Sequence, residues 1–139
     1  MKILLAVDGS DCTRKAVAYL VTHDSMLEGG ELAILHVQPA LPPRVEGFVG
    51  HARVKEYHEE EAAKVLAPIE EIVRRHGLAY HARWAVGRAA DEIVKASVQE
   101  HAHLIVMGTH GHGLLGRALL GSVAQGVLAN AEIPVLLVR

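Results

Sequence analysis

Five short apolar runs, separated by stretches whose apolar residues recur at helical spacing, constrain this chain more than any other feature. The runs are Lys2–Val7, Leu32–Val37, Tyr80–Val86, His103–Met107 and Val135–Val138. Each has strand length. A helical stretch between successive runs leaves no place for a tight hairpin, so the pattern predicts parallel strands with helices on both faces of the sheet. At 139 residues and 15.0 kDa the chain suffices for one core, and residues 1–139 are read as a single domain.

The first helix is predicted after Asp8-Gly9-Ser10, with Ser10 as N-cap and Ala16, Val17, Leu20, Val21 and Leu27 on one face. Gln38–Gly50 carries three prolines and two glycines and is predicted to be a loop. A long helix follows, with Ala62, Val65, Leu66, Ile69, Ile72 and Val73 on one face and Pro68 inside it. Tyr80–Val86 alternates, with His81, Arg83 and Ala85 opposite Tyr80, Ala82, Trp84 and Val86, which predicts an edge strand with one wet face.

Composition excludes several function classes. The net charge is −2 and aromatics make up 4%, so the chain lacks both the basic surplus and the stacking residues of a nucleic-acid binder. Cys12 is the single cysteine, which rules out an intramolecular disulfide. No apolar run approaches bilayer-spanning length, and Asp8 interrupts the first run before it could serve as a signal-peptide core. The expectation is a cytoplasmic protein that contacts neither membrane nor nucleic acid.

Ligands of open parallel sheets bind beyond the carboxyl ends of the strands. The richest segment there is Gly108-Thr109-His110-Gly111-His112-Gly113-Leu114-Leu115-Gly116-Arg117-Ala118-Leu119-Leu120-Gly121-Ser122. Glycines let backbone N–H groups approach an anion, and a following helix adds its positive N-terminal end. This is equipment for phosphate. The Walker pattern is absent, because no lysine lies in the segment. Gly111-His112-Gly113-Leu114-Leu115-Gly116 satisfies G-x-G-x-x-G, but after the fourth strand rather than the first. His110 and His112 could contact phosphate or pair on a metal ion, and Arg117 is a further candidate for a fixed positive charge. Asp8 could contact a ligand or cap the following helix.

Gly108-x2-Gly111-x9-Gly121-Ser122 resembles the nucleotide-binding motif of the universal stress protein family. Ile3–Ser10, Leu35-His36-Val37, Ile105–Gly111 and Ile133–Val138 are similar to that family's strand ends, so the resemblance covers nearly the whole chain. It implies a Rossmann-like open sheet of five parallel strands in the order 3-2-1-4-5, flanked by four helices. It also implies a homodimer paired through the fifth strand, Val135–Val138, whose apolar edge would otherwise be exposed. The intact motif resembles that of the ATP-binding members. By position, Ala6, Val7 and Val37 would line the adenine slot and Asp8 would face adenine or ribose. Met107 and Gly108 would lie against the ribose. Gly111, Gly121, Ser122 and Val123 would hold phosphates, with His110, His112 and Gly113 in the same loop. Mg²⁺ or Mn²⁺ would bridge the phosphate oxygens. The implied role is that of an ATP-binding stress-response regulator. Slow ATP hydrolysis, or binding of AMP or another nucleotide as an interaction module, are the alternatives.

Overall fold

The computed structural model describes residues 1–110 and 120–139. Strands β1 (Lys2–Val7), β2 (Glu31–Gln38), β3 (Tyr80–Val86), β4 (Leu104–Gly108) and β5 (Val135–Val138) form one sheet in the order β3-β2-β1-β4-β5. All four pairings are parallel. The helices are α1 (Asp11–Thr22), α2 (Pro43–Val49), α3 (His51–Arg75), α4 (Ala89–Gln99) and α5 (Ser122–Asn130). This is the expected Rossmann-like α/β architecture, with one short helix more than the expected four.

That extra helix, α2, lies within the segment predicted to be a loop. Pro43 sits in its first turn, where a missing N–H costs no helical bond. None of its residues is buried, and Phe48 is 92% exposed. A helix that packs nothing inward leaves no apolar period to read. A second difference concerns Leu27. The structure ends α1 at Thr22, and Leu27 reaches the core from a separate 3-10 turn, Asp24–Leu27. The long helix α3 runs through Pro68 without a break in its assignment.

The two-residue period of the strands divides the core into two layers. Ile3, Leu5 and Val7 of β1 with Leu32 and Ile34 of β2 face α1 and α3, against Val17, Leu20, Leu66, Ile69 and Val73. Leu4 and Ala6 with Ala33 and Leu35 face α4 and α5, against Ile93, Ala96, Ala124 and Val127. Most of these side chains are less than 5% exposed. Each fully buried Leu, Ile or Val contributes about 1.5–3 kcal/mol of transfer free energy. β3 is an edge strand, as its alternation predicts: Tyr80, Ala82 and Trp84 lean on the α1–α3 side, and Ala85 on the other.

Candidate functional site

The order of the sheet reverses at β1, which pairs with β2 on one side and β4 on the other. The two crossovers leave in opposite directions, so the chain parts above the carboxyl ends of β1 and β4 and opens a crevice. The structure has a cavity of about 600 Å³ there, within the roughly 300–1,000 Å³ range of small-molecule sites.

Of the residues singled out from sequence, Ala6, Val7, Asp8, Val37, Met107, Gly108, His110, Gly121, Ser122 and Val123 all line this one cavity. Gly111, His112 and Gly113 lie outside the described residues, as do Arg117 and Leu119. The cavity also takes in residues that the sequence reading missed: Thr13, Leu35, His36, Pro39, Ala89, Ile93, Thr109 and Ala124. Ala89 and Ile93 come from the start of α4. Gly87, directly after β3, marks that helix entry in the sequence, but helical spacing by itself assigns Ile93 to core packing.

Backbone bonds set the two ends of the glycine segment side by side. The N–H of Gly121 donates to the carbonyl of Thr109 at 2.7 Å, and the N–H of Thr109 donates to Val138 at 2.9 Å. Gly121 is the N-cap of α5 and, as a glycine, offers that helix no side-chain cap. The first-turn N–H groups carry the positive end of the helix dipole beside the cavity. Gly108 is required by close approach. A Cβ there would lie 2.5 Å from Cys12 Cβ at the start of α1. Ser10 reaches the same region from α1, its hydroxyl donating to the His110 carbonyl at 3.4 Å. The thiol of Cys12 lies 3.9 Å from Thr109 Oγ1.

Asp8 braces the turn into α1, whose N-cap is Ser10, and lines the cavity. Its Oδ1 accepts from the Ser10 N–H at 2.9 Å and from the Thr13 hydroxyl at 2.8 Å. Its own N–H donates to Thr13 Oγ1 at 3.1 Å. Ser10 in turn caps α1 by accepting from the Thr13 N–H at 3.3 Å. This local network fixes the carboxylate where β1 leaves the sheet. His36 fixes the same strand end from the neighbouring strand β2. Its Nδ1 lies 2.9 Å from the Val7 carbonyl, which can only accept, so the ring proton is on Nδ1. Its Nε2, 2.8 Å from Gln38 Nε2, then accepts from the carboxamide. Both side chains are buried.

Chemically, the site combines an apolar slot (Ala6, Leu35, Val37, Ile93) with a helix N-terminus and backbone amides at its other end. Asp8 is the one carboxylate among the lining residues. Among the described residues no group of three or more His, Cys, Asp or Glu side chains could hold a metal ion. Among the same residues no helix is long and apolar enough to cross a membrane.

Comparisons with known proteins agree with this layout. A sequence model of the universal stress protein family matches residues 1–139. The universal stress protein in the QAH/OAS sulfhydrylase 3′ region of Thermus aquaticus is 38% identical over 99% of this chain and 97% of its own length. The solved structure of the hypothetical protein MJ0577 superposes with a TM-score of 0.86 at 31% identity, covering 99% of this chain and 94% of that one. The universal stress protein of Archaeoglobus fulgidus, solved in complex with dAMP, superposes with a TM-score of 0.74 at 25% identity, covering all of this chain and 98% of the other. The chain described here belongs to the universal stress protein family.

Proposed function

We propose that this protein binds an adenine nucleotide, ATP in its resting state, in the cavity above β1 and β4, and acts as a nucleotide-dependent stress-response regulator. One observation carries the reading. The cavity joins an apolar slot of base-like character to the Gly108 and Gly121-Ser122 ends of the glycine motif. The relative solved with dAMP supports the adenine class. In this arrangement Ala6, Val7 and Val37 flank the base, Asp8 and Met107 meet the ribose, and the α5 N-terminus with Ser122 receives phosphate. Gly111, His112 and Gly113, which lie outside the described residues, are the remaining phosphate candidates of the sequence motif. Mg²⁺ or Mn²⁺ would be held by phosphate oxygens and water. The β5 edge, Val135–Val138, pairs with the same strand of a second copy. Its half-buried apolar side chains at the end of the sheet favour that cover.

The protein purified without added nucleotide and then denatured is expected to release ATP near one per chain, read by chromatography and mass spectrometry. Protein that is empty and takes up no ATP with Mg²⁺ in calorimetry overturns the reading. Asp8 gives a sharper test, because it has two roles to separate. Asp8→Asn keeps Oδ1 as an acceptor for Ser10 and Thr13, whereas Asp8→Ala loses both of those hydrogen bonds as well, at about 1–3 kcal/mol of stability. Both are expected to weaken ATP more than inorganic triphosphate. Equal losses for the two ligands would leave Asp8 as a brace of the turn alone.

A further inference from the structure

At the edge of the sheet opposite the cavity, one imidazole sits between two carboxylates. His81 Nδ1 lies 2.7 Å from Glu31 Oε1, and His81 Nε2 lies 3.0 Å from Glu100 Oε1. A carboxylate only accepts, so each contact is a hydrogen bond only if both ring nitrogens carry protons. The geometry is that of an imidazolium. The three residues come from three elements: Glu31 opens β2, His81 lies in β3 and Glu100 is the C-cap of α4. Two further charges face the group. Lys2 of β1 lies 3.1 Å from Glu100 and 3.6 Å from Glu31, and Arg83 of β3 lies 3.3 Å from Glu100. The Glu100 side chain is only 14% exposed and gathers all three cations.

The other end of α4 belongs to the cavity. Ala89 and Ile93 line it, and Ala90 packs so closely on α5 that a Cβ on Gly126 would lie 2.6 Å from it. Clamp and cavity are thus two ends of one helix of 11 residues. A neutral His81 has a single ring proton. One nitrogen would then turn a lone pair toward a carboxylate at hydrogen-bond distance, which repels. Lys2 and Arg83 remain to hold Glu100, and Arg83 still ties α4 to β3 through Glu100 and Gln99, but the bridge through the ring from Glu100 to Glu31 is lost.

We propose that the His81 bridge is a proton-dependent latch on α4: the protonated ring tightens the helix where it shapes the nucleotide cavity, and loss of that proton loosens its carboxyl end, which Lys2 and Arg83 alone then hold, and weakens nucleotide binding. The inference deepens the proposed nucleotide function and rests on it for the binding readout. The direction of titration agrees. The Glu100 hydrogen bond raises the His81 pKa above its ordinary 6.5, burial opposes it, and Glu31 adds to the rise. A raised value means that the latch stabilises the fold fully below pH 6.5 and loses this effect as pH climbs through the folded-state value. Burial pushes Glu100 up, but hydrogen bonds from His81 and Lys2 outweigh it and hold the carboxyl at about 2, so its side of the latch stays ionised throughout.

The test separates the latch from the nucleotide reading. In the ligand-free full-length protein, the Ile93 δ1-methyl NMR signal is expected to shift with pH at the same midpoint as the His81 ring. In His81→Arg, whose guanidinium keeps charge and several donors at all pH values, that shift should vanish and the low-pH position should persist. In His81→Gln the high-pH position should persist. ATP affinity by calorimetry is then expected to fall on the order of fivefold across the transition in the native protein. The fall should be markedly smaller in His81→Arg. An Ile93 signal indifferent to His81, or an equal loss of affinity in native protein and His81→Arg, overturns the latch even if ATP binds well. An Ile93 signal that follows His81 in a protein that binds no ATP overturns the coupling to nucleotide and, separately, the nucleotide reading.

Discussion

Gly108→Ala is expected to lower the melting temperature on the order of 10 °C and to abolish tight nucleotide binding. The new Cβ would lie 2.5 Å from Cys12 Cβ and 3.1 Å from the Cys12 carbonyl carbon. Neither atom can rotate away, because both are fixed to the first turn of α1. Either α1 lifts off β4 or β4 bends, and overpacking of this kind costs about 1–3 kcal/mol. With no flexible side chain to yield, the upper part of that range applies. A fold stabilised by roughly 5–15 kcal/mol survives it, so the loss of binding would come from a displaced cavity wall rather than from unfolding. Circular dichroism melting and calorimetry on the same sample would separate the two. Cys12→Gly in the Gly108→Ala background removes the worst contact and should recover much of the melting temperature. A Gly108→Ala protein that melts and binds ATP like the native one would show that α1 does not press on β4 as described.

Gly126→Ala sets two magnitudes against each other. Alanine in a helix interior is favoured over glycine by about 1 kcal/mol. At this position, however, its Cβ would lie 2.6 Å from that of Ala90. Two methyl groups fixed to two helix backbones cannot avoid one another without moving the helices apart, at about 1–3 kcal/mol. The contact term is therefore expected to win, with a net loss of about 1 kcal/mol and weaker nucleotide binding, since α4 and α5 form adjoining walls of the cavity. The double substitution Gly126→Ala with Ala90→Gly moves the methyl from one helix to the other and should restore both. A higher melting temperature for Gly126→Ala alone would mean that propensity governs and the helices are not in close contact.

The alternation of strand and helix was visible in the sequence because burial imposes it. Every β1 side chain from Ile3 to Val7 is buried, and α1 and α3 turn one face inward. The strand order came from the family resemblance; no periodicity specifies it. Most of the candidate site was legible for a related reason, since Asp8, Gly108 and Gly121-Ser122 stand at strand ends and helix starts that punctuation residues mark. The helix Pro43–Val49 was not legible, because a segment that buries nothing carries no period. Ile93 was not distinguishable from ordinary core, because lining a slot and packing a core demand the same side chain. The His81 latch was invisible for a third reason. It joins Lys2, Glu31, His81, Arg83 and Glu100, and their meeting exists only once β1, β2, β3 and α4 are assembled.

The central place of β1 also has a consequence during synthesis. Leu5 pairs with Ile34 on one side but with Val106 on the other. At translation rates of about 5–20 residues per second, the second partner follows roughly 5–20 s after β1 itself has been made. Through that interval the nascent chain carries a continuous apolar strand, Ile3-Leu4-Leu5-Ala6-Val7, with one edge unpaired. The interval ends only when β4 leaves the ribosome, so folding of the sheet core is a late event on the nascent chain, with mispairing as the hazard before it. Force measurements on stalled chains should accordingly show little pulling for lengths that expose β1 to α4 and a sharp onset once Leu104–Gly108 has emerged. An onset at the length that exposes only β1 to β3 would place the folding nucleus in that half of the sheet instead.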